Sequence, residues 1–182
     1  IKNVPGVGNF VRSARTSLPA SIGTVSGKAA PLHPMYAYCT ESLDHVELDS
    51  RIEVPSESML DTLGQYTAAV VVADRWYQHS QQTITYSLSF IPIEVIARLQ
   101  IDLNDQQQLL EFLEHTSYDE SHHFYRSCTY STSGNFTAKN YKLSSQNSFL
   151  LVFENIYDQN HQLLITNKHY IPCDLFKIDL YI

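Results

Sequence analysis

The stretch from Thr67 to Pro92 constrains the fold most, because it holds two β-forming runs around a short polar segment. Apolar and small polar side chains alternate along the second run: Ile84, Thr85, Tyr86, Ser87, Leu88, Ser89 and Phe90. This period of two predicts an antiparallel hairpin with one apolar and one polar face. Pro92 lacks an N–H, so it ends the second strand and can open a short helix over residues 93–99.

Composition limits the classes of protein to consider. With 182 residues, 43% apolar and 17% charged, the chain is one ordinary domain with a substantial core. A net charge of −7 argues against a surface that wraps nucleic acid, which must be basic. Three widely spaced cysteines suggest reduced thiols and a cytoplasmic location. No apolar run is long enough to cross a bilayer, so we expect no membrane partner.

Glycine and proline divide the chain into three parts. Residues 1–12 predict a tight turn and a short β run, and residues 13–34, rich in Ser, Ala, Gly and Pro, predict a linker. The globular domain is predicted to occupy residues 35–182. Its early elements are strands at 35–39 and 46–54 and a helix between the N-cap Ser56 and Gly64.

The whole chain follows the order strands, helices, strands, with no alternating strand–helix pattern of Rossmann type. Residues 105–115 carry leucine and phenylalanine at helical spacing and predict an amphipathic helix, and residues 136–143 predict a short one. The remaining strands are predicted at 122–132, 148–158, 163–171 and 175–182. This order predicts an α+β fold, an antiparallel β-sheet with helices packed on one face.

Several short motifs follow one another in a fixed order. In the first half they are Val54-Pro55 through Leu63-Gly64, Arg75, and Ser89-Phe90-Ile91-Pro92. In the second half they are Phe149-Leu150-Leu151, Tyr157-Asp158-Gln159-Asn160 and Asp174-Leu175-Phe176-Lys177-Ile178. This set resembles the C-terminal effector-binding domain of GntR-type bacterial transcription regulators. More narrowly, it resembles the HutC subfamily, whose ligand domain is called UTRA.

The opening Gly6-Val7-Gly8-Asn9-Phe10-Val11 resembles the end of the wing in a winged helix-turn-helix domain. The resemblance implies that residues 1–12 are a remnant of this wing, and that DNA is bound by an N-terminal domain absent from this chain. It also implies a chorismate-lyase-like α+β fold, a small-molecule effector in a pocket on the sheet, and a homodimer without a cofactor. Effector binding would then alter binding to a palindromic operator.

The resemblance also indicates where the effector would bind. In relatives, two arginines on the first hairpin strand and an acid on the second face the ligand. Counting back from Pro92 aligns them with Arg75, Tyr77 and Ser87. In the C-terminal hairpin, counting back from Asp174 aligns an acidic residue and a tyrosine of relatives with apolar positions. These positions are Ile165 and Ile171.

Residues two apart in a strand share a face, so Asn167 and His169 lie on the same side as these isoleucines. The predicted effector-binding residues are Arg75, Tyr77, Ser87, Ser89, Asn167 and His169. A single arginine in this set favours a monoanionic metabolite over a dianionic sugar phosphate.

Simpler roles remain open for these side chains. Arg75 could form a surface salt bridge, Tyr77 and Ser87 could be ordinary sheet residues, and His169 could be a structural histidine. The adjacent His122 and His123 would point to opposite faces of a strand, so we expect no metal site.

Two other functions also remain open. The first is a chorismate-lyase-like enzyme, which would need an arginine pair and a carboxylate, with Arg98 and Arg126 as distant candidates. We expect no enzymatic activity, since fold analogy alone does not establish function. The second is a ligand-free dimerisation module whose pocket is filled by its own side chains.

Overall fold

The computed structural model describes residues 32–119, 122–135 and 141–178, and the backbone of residues 2–4, 8–10 and 14–17. Nine strands of these residues form one antiparallel sheet in the order β1-β2-β4-β5-β6-β9-β8-β7, with β3 also paired to β4. The strands are β1 Lys2–Val4, β2 Gly8–Phe10, β3 Ala14–Ser17, β4 His45–Glu53, β5 Val70–His79, β6 Gln82–Pro92, β7 His123–Ser131, β8 Phe149–Tyr157 and β9 Leu163–Pro172. The helices are α1 Pro34–Tyr38, α2 Glu57–Leu63, α3 Ile93–Leu99 and α4 Gln106–Glu114, with short 3₁₀ turns at Thr116–Tyr118 and Cys173–Leu175.

The central hairpin forms as the alternating pattern predicts. Strands β5 and β6 are joined by Ser80 and Gln81, which both have positive φ angles, 49° and 68°. A two-residue loop with positive φ at both positions matches the twist of the flanking strands. Helix α3 begins directly after Pro92, as predicted.

Helix α2 begins and ends at its predicted signals, and α4 lies within its predicted range of 105–115. In α2, the Ser56 hydroxyl accepts a hydrogen bond from the Met59 N–H, and Gly64 ends the helix with a φ of 64°. In α4, the Asp105 carboxylate accepts from the N–H groups of Gln107 and Gln108. These caps satisfy backbone donors that the first helical turn leaves unpaired.

Most helices cover one face of the sheet. Helices α1, α3 and α4 bury apolar side chains against every second residue of the strands. The helices contribute Met35, Val95, Ile96, Leu109 and Leu113, and the strands contribute Val71, Ala73, Ile91, Ile156 and Ile165. On the opposite face, α2 packs on Val70 and Val72, and Trp76 joins an aromatic cluster with Tyr86 and Tyr170. The predicted α+β fold is therefore confirmed.

The segment after Pro34 differs from its prediction. Residues 35–39 were expected to form a strand, but residues Pro34–Tyr38 form helix α1. Pro34 occupies the first helical turn, where no N–H is needed, and the His33 ring accepts a hydrogen bond from the Met35 N–H. Pro34 and the His33 cap favour a helix, and together they outweigh the preference of the aromatic residues for a strand.

The two other differences lie in the C-terminal half. In place of the start of the predicted strand 175–182, the structure has a 3₁₀ turn at Cys173–Leu175 and a single bridge between Phe176 and Cys39. Residues 179–182 lie outside the described part. The predicted helix 136–143 mostly lies outside it as well, and residues 141–143 are not helical.

The domain boundaries remain predictions. Strand β1 pairs with β2, and β2 in turn pairs with β4. Strand β3 lies inside the predicted linker and pairs with β4. Residues 5–7, 11–13 and 18–31 lie outside the described part. Among the described helices, none has the length and apolar character that crossing a bilayer requires.

Candidate functional site

The six predicted site residues lie together on the helix-covered face of the sheet. One row across neighbouring strands runs from Arg75 through Ser87 to His169, and the next runs from Ser89 to Asn167. Tyr77 lies two residues beyond Arg75 on β5. All six side chains belong to residues that are 0% exposed to solvent. Arg75 therefore does not form a surface salt bridge.

Arg75 is held by a carboxylate from α4 and by the sheet beneath it. Its Nη1 donates to Glu114 Oε1 at 2.5 Å and to the Leu113 carbonyl oxygen at 3.1 Å. Its Nη2 donates to the Ser89 hydroxyl at 2.8 Å, and Ser89 donates to Asn167 Oδ1 at 2.6 Å. A buried guanidinium needs such a partner because an unpaired buried charge is very costly.

Glu154 on β8 is the second buried carboxylate. Its Oε1 accepts from Arg126 Nε at 2.5 Å, and its Oε2 accepts from the Tyr118 hydroxyl at 2.6 Å and from Asn167 Nδ2 at 3.0 Å. Burial alone would raise the pKa of Glu154. Its hydrogen bond with His169 and the charge of Arg126 outweigh burial and hold this pKa well below its ordinary value.

His169 connects Glu154 to β6. Its Nε2 lies 3.3 Å from Glu154 Oε2, and its Nδ1 lies 2.6 Å from the Ser87 hydroxyl. The arrangement fits a neutral ring in which Nε2–H donates to the carboxylate and Nδ1 accepts from Ser87. Burial lowers the pKa of His169, although the nearby Glu154 carboxylate acts in the opposite direction.

His33, at the N-cap of α1, brings a second imidazole over the network. Its Nδ1 accepts from the Met35 N–H at 3.2 Å, and its Nε2 lies 3.4 Å from the Tyr77 hydroxyl oxygen and 3.3 Å from Arg75 Nη1. The residue is 5% exposed. Burial, with the neighbouring charge of Arg75, lowers the pKa of His33 well below its ordinary value.

Two tyrosines complete the contacts of Glu114. The hydroxyl of Tyr77 donates to Oε1 and that of Tyr36, on α1, donates to Oε2, each at 2.8 Å. The network thus contains two arginines and two glutamates together with two histidines whose pKa values are lowered. With neutral histidines its formal charges balance.

Sequence reasoning missed several members of this network. They are His33, Tyr36, Glu114, Tyr118 and Glu154, while Arg126 was considered only for the enzyme alternative. Two of them left a signal in the sequence. Glu154 alternates with Val152 and Ile156, so a carboxylate stands in the buried row of a strand. Glu114 follows Leu110 by four residues and therefore lies on the apolar face of α4.

One donor in the network has no acceptor among the residues that the structure describes. Arg75 Nε is buried and makes no hydrogen bond there. Buried donors are paired in most proteins, so an unpaired one calls for an explanation. A guanidinium with a spare N–H could bind one further oxygen, such as a carboxylate or phosphate oxygen. Among the described residues, no cluster of three or more His, Cys, Asp or Glu could hold a metal ion.

Comparison with solved structures identifies the fold. A GntR-family transcriptional regulator from Enterococcus faecalis aligns with a TM-score of 0.56 at 13% identity, over 73% of this chain and 96% of that one. A transcriptional regulator from Streptomyces coelicolor aligns with a TM-score of 0.58 at 11% identity, over 94% and 99%. The effector-binding domain of the Bacillus subtilis trehalose repressor aligns with a TM-score of 0.56 at 12% identity, over 73% and 92%.

Sequence comparison adds nothing to this result, because no protein-family model and no curated protein sequence matches the chain. The structural similarity establishes the fold. This chain has the α+β fold seen in effector-binding domains of GntR-family regulators.

Proposed function

We propose that this chain is the effector-binding and dimerisation domain of a GntR-type bacterial transcription regulator of the HutC subfamily. Its fold and the ordered motifs around Pro92 and Asp174 support this proposal. DNA would be bound by a separate N-terminal winged helix-turn-helix domain, in the cytoplasm, and this chain would catalyse no reaction. Residues 1–12, 13–34 and 35–182 would be the wing remnant, the linker and the UTRA domain.

The observation that carries the proposal is the position of Arg75. A fully buried arginine on the central hairpin, with Nε unpaired among the described residues, is suited to hold an acidic group. We propose that the effector is a monoanionic metabolite bound by Arg75, Tyr77, Ser87, Ser89, Asn167 and His169. To change operator binding, it must bind one arrangement of the dimer more tightly than the other.

A panel of monocarboxylate and monophosphate metabolites tests this site by thermal shift. We expect a compound that stabilises the wild-type chain to bind the Arg75→Lys variant about tenfold more weakly, because lysine lacks the planar fork of donors. Titration calorimetry would measure both dissociation constants directly, so a change in stability of the variant would not disturb the comparison.

The matched control is Arg98→Lys. Arg98 lies on the exposed side of α3, where its Nη1 is 3.0 Å from the Asp158 carboxylate. This variant should bind the compound with the affinity of the wild type. Equal affinity in all three proteins would show that Arg75 is not the anchor.

The proposed homodimer is tested by light scattering of the purified chain. We expect twice the mass of 20.8 kDa at micromolar concentration, because two copies are needed to position two DNA-reading domains on a palindromic operator. If the measured mass is that of a single chain at every concentration, the dimerisation role is wrong. The effector role would then be tested separately by the metabolite panel.

The closed network favours a ligand-free dimerisation module as the second candidate. All six predicted binding residues are 0% exposed and occupied by contacts with each other and with His33, Glu114 and Glu154. If this second candidate is correct, no metabolite would stabilise the chain, even after truncation of the His33 side chain, and the dimer would still form.

A further inference from the structure

We propose that β7, the strand at one end of the sheet, pairs antiparallel with β7 of a second copy of this chain, about a two-fold axis at Ser127. This inference rests on the proposed function, because it takes the chain to be a homodimer and assigns the surface through which the two copies meet. The evidence is the position of β7 in the sheet, its sequence, and the side chains that self-pairing would bring together.

Strand β7 has a single neighbouring strand in the described part of the sheet. It lies at the end of the strand order and pairs with β8 along its whole length, from His123 to Ser131. At the other end of the sheet, β1 is only three residues long, and the edge of β4 is paired with β2 and β3. The outer edge of β7 therefore offers another strand a row of backbone N–H and C=O groups about 30 Å long.

The sequence of β7 lacks the features by which proteins keep such an edge from pairing. Its nine residues include no proline and no lysine, and its register with β8 contains no bulge. Its one permanently charged side chain, Arg126, turns toward the buried network, where Nε donates to Glu154 Oε1 and Nη2 donates to the Leu32 carbonyl oxygen. No charge on β7 is therefore placed to repel an incoming strand.

Two large side chains of β7 are exposed on opposite faces of the sheet. Tyr125 is 56% exposed on the face away from α1 and α4, and Tyr130 is 65% exposed on the helix-covered face. Other residues of the strand, such as Phe124 and Thr129, also belong to the types that favour β-structure. A second strand at this edge would cover part of both tyrosine rings and would extend the sheet with residues suited to it.

The side chains of β7 match those of a second β7 in antiparallel orientation. Ser127 is the middle residue of the strand, so a two-fold axis there pairs all nine residues, whereas any other axis leaves some of them unpaired. Across this axis, Phe124 faces Tyr130 of the partner subunit. On the other face of the sheet, Tyr125 faces Thr129 of the partner subunit. Aromatic pairs and aromatic–β-branched pairs of this kind stabilise antiparallel sheets.

Charge and closure also favour a second copy as the partner of β7. With the axis at Ser127, Arg126 faces Cys128 of the partner subunit. An axis one residue earlier would place two guanidinium groups opposite each other, and like charges directly opposite destabilise a strand pair. Pairing of β7 with itself uses both free edges at once, so assembly stops at two chains. The resulting two-fold symmetry is the one that a palindromic operator requires.

A pair of opposite charges at Ser127 tests this interface directly. The variants Ser127→Lys and Ser127→Glu each place two like charges opposite each other across the proposed axis. We expect the dissociation constant of each homodimer to rise about tenfold at low salt. An equimolar mixture of the two variants brings opposite charges together and should associate at least as tightly as the wild type. Sedimentation velocity over a range of concentrations would measure these dissociation constants.

The matched controls carry the same charges at Ser58, which is exposed on α2. Ser58→Lys and Ser58→Glu should each dimerise as the wild type does, and mixing them should change nothing. Thermal melts would verify that all four variants are folded. If a Ser127 variant does not fold, two double variants take its place. Tyr125→Lys with Thr129→Lys opposes like charges twice and should dissociate, whereas Tyr125→Lys with Thr129→Glu brings opposite charges together and should remain a dimer.

The results distinguish this interface from the proposed function. Homodimers of the Ser127 variants as tight as the wild type, or a mixture no tighter than either variant alone, would overturn the pairing of β7. A dimeric wild type would then keep its dimerisation role through another surface. A monomeric wild type would contradict both the interface and the dimerisation role, and the metabolite panel would still test the effector role.

Discussion

Replacement of Glu114 by glutamine is expected to destabilise the chain by about 3 kcal/mol, because it leaves the charge of a fully buried arginine without its carboxylate. Arg75 is 0% exposed, Glu114 is 3% exposed, and their Nη1 and Oε1 atoms are 2.5 Å apart. Glutamine keeps the shape of the glutamate side chain and one acceptor oxygen, so the loss of stability measures the contribution of the carboxylate charge. For a chain of this size, Tm should fall by roughly 10 °C in a thermal melt.

The control for this experiment is Glu111→Gln, on the exposed side of the same helix. It should change Tm by less than about 2 °C. A double variant, Arg75→Met with Glu114→Gln, contains no buried charge at this position and should be more stable than Glu114→Gln alone. A Glu114→Gln variant as stable as the wild type would show that Arg75 does not depend on this carboxylate.

Acidification is expected to lower the free energy of unfolding steeply below about pH 6.5, the ordinary histidine pKa. Burial lowers the pKa of both His33 and His169 in the folded chain. In the unfolded chain these histidines bind protons more readily, so acid favours unfolding. Each contributes stability that is complete above about pH 6.5 and is lost as the pH falls toward its folded pKa.

The expected slope is at most about 1.4 kcal/mol per pH unit for each histidine. Several titratable groups surround the two imidazoles: Tyr36, Arg75, Tyr77, Glu114, Tyr118, Arg126 and Glu154. Glu154, whose pKa is held low, would lose its contribution only at much lower pH. Urea unfolding at several pH values between about 7.5 and 5.5 would measure the slope.

The variants His33→Gly and His115→Ala separate the contributions. His33→Gly should reduce the acid slope by about half, since only His169 of the two then remains. His115→Ala, which removes an exposed ring, should retain the full slope. A wild-type stability that does not change between these pH values would mean that both buried imidazoles titrate as in the unfolded chain.

The sheet and most of its helices were predictable because local pattern and tertiary structure agree there. The alternation from Ile84 to Phe90 fixes which residues of β6 face the network, and the caps at Ser56 and Asp105 fix where two helices begin. Register then follows, since a shift by one residue would expose the apolar row. Ser87, Ser89, Asn167 and His169 were predicted to line one site from the family resemblance and the parity of the two hairpins, and the pairing of β6 with β9 places them side by side.

Other members of the site depend on how distant elements pack, and the sequence carries little trace of this. Glu114 reaches Arg75 from a helix 39 positions further along the chain. His33 lies in a segment rich in small residues, with no periodicity to indicate that its ring would be buried. Helix α1 was predicted as a strand because alternating aromatic residues suit both structures, and the position of Pro34 decided between them.

The two sides of the buried network are attached to the molecule in different ways. Beneath it, β5, β6, β9 and β8 are joined by antiparallel ladders of backbone hydrogen bonds. Above it, the five-residue α1 and the turn that carries Tyr118 reach the polar centre through side chains. Substitution of one of these strand side chains therefore leaves the backbone hydrogen bonds of the sheet in place. Any opening that admits a molecule must be carried by the upper side, where few bonds need to break.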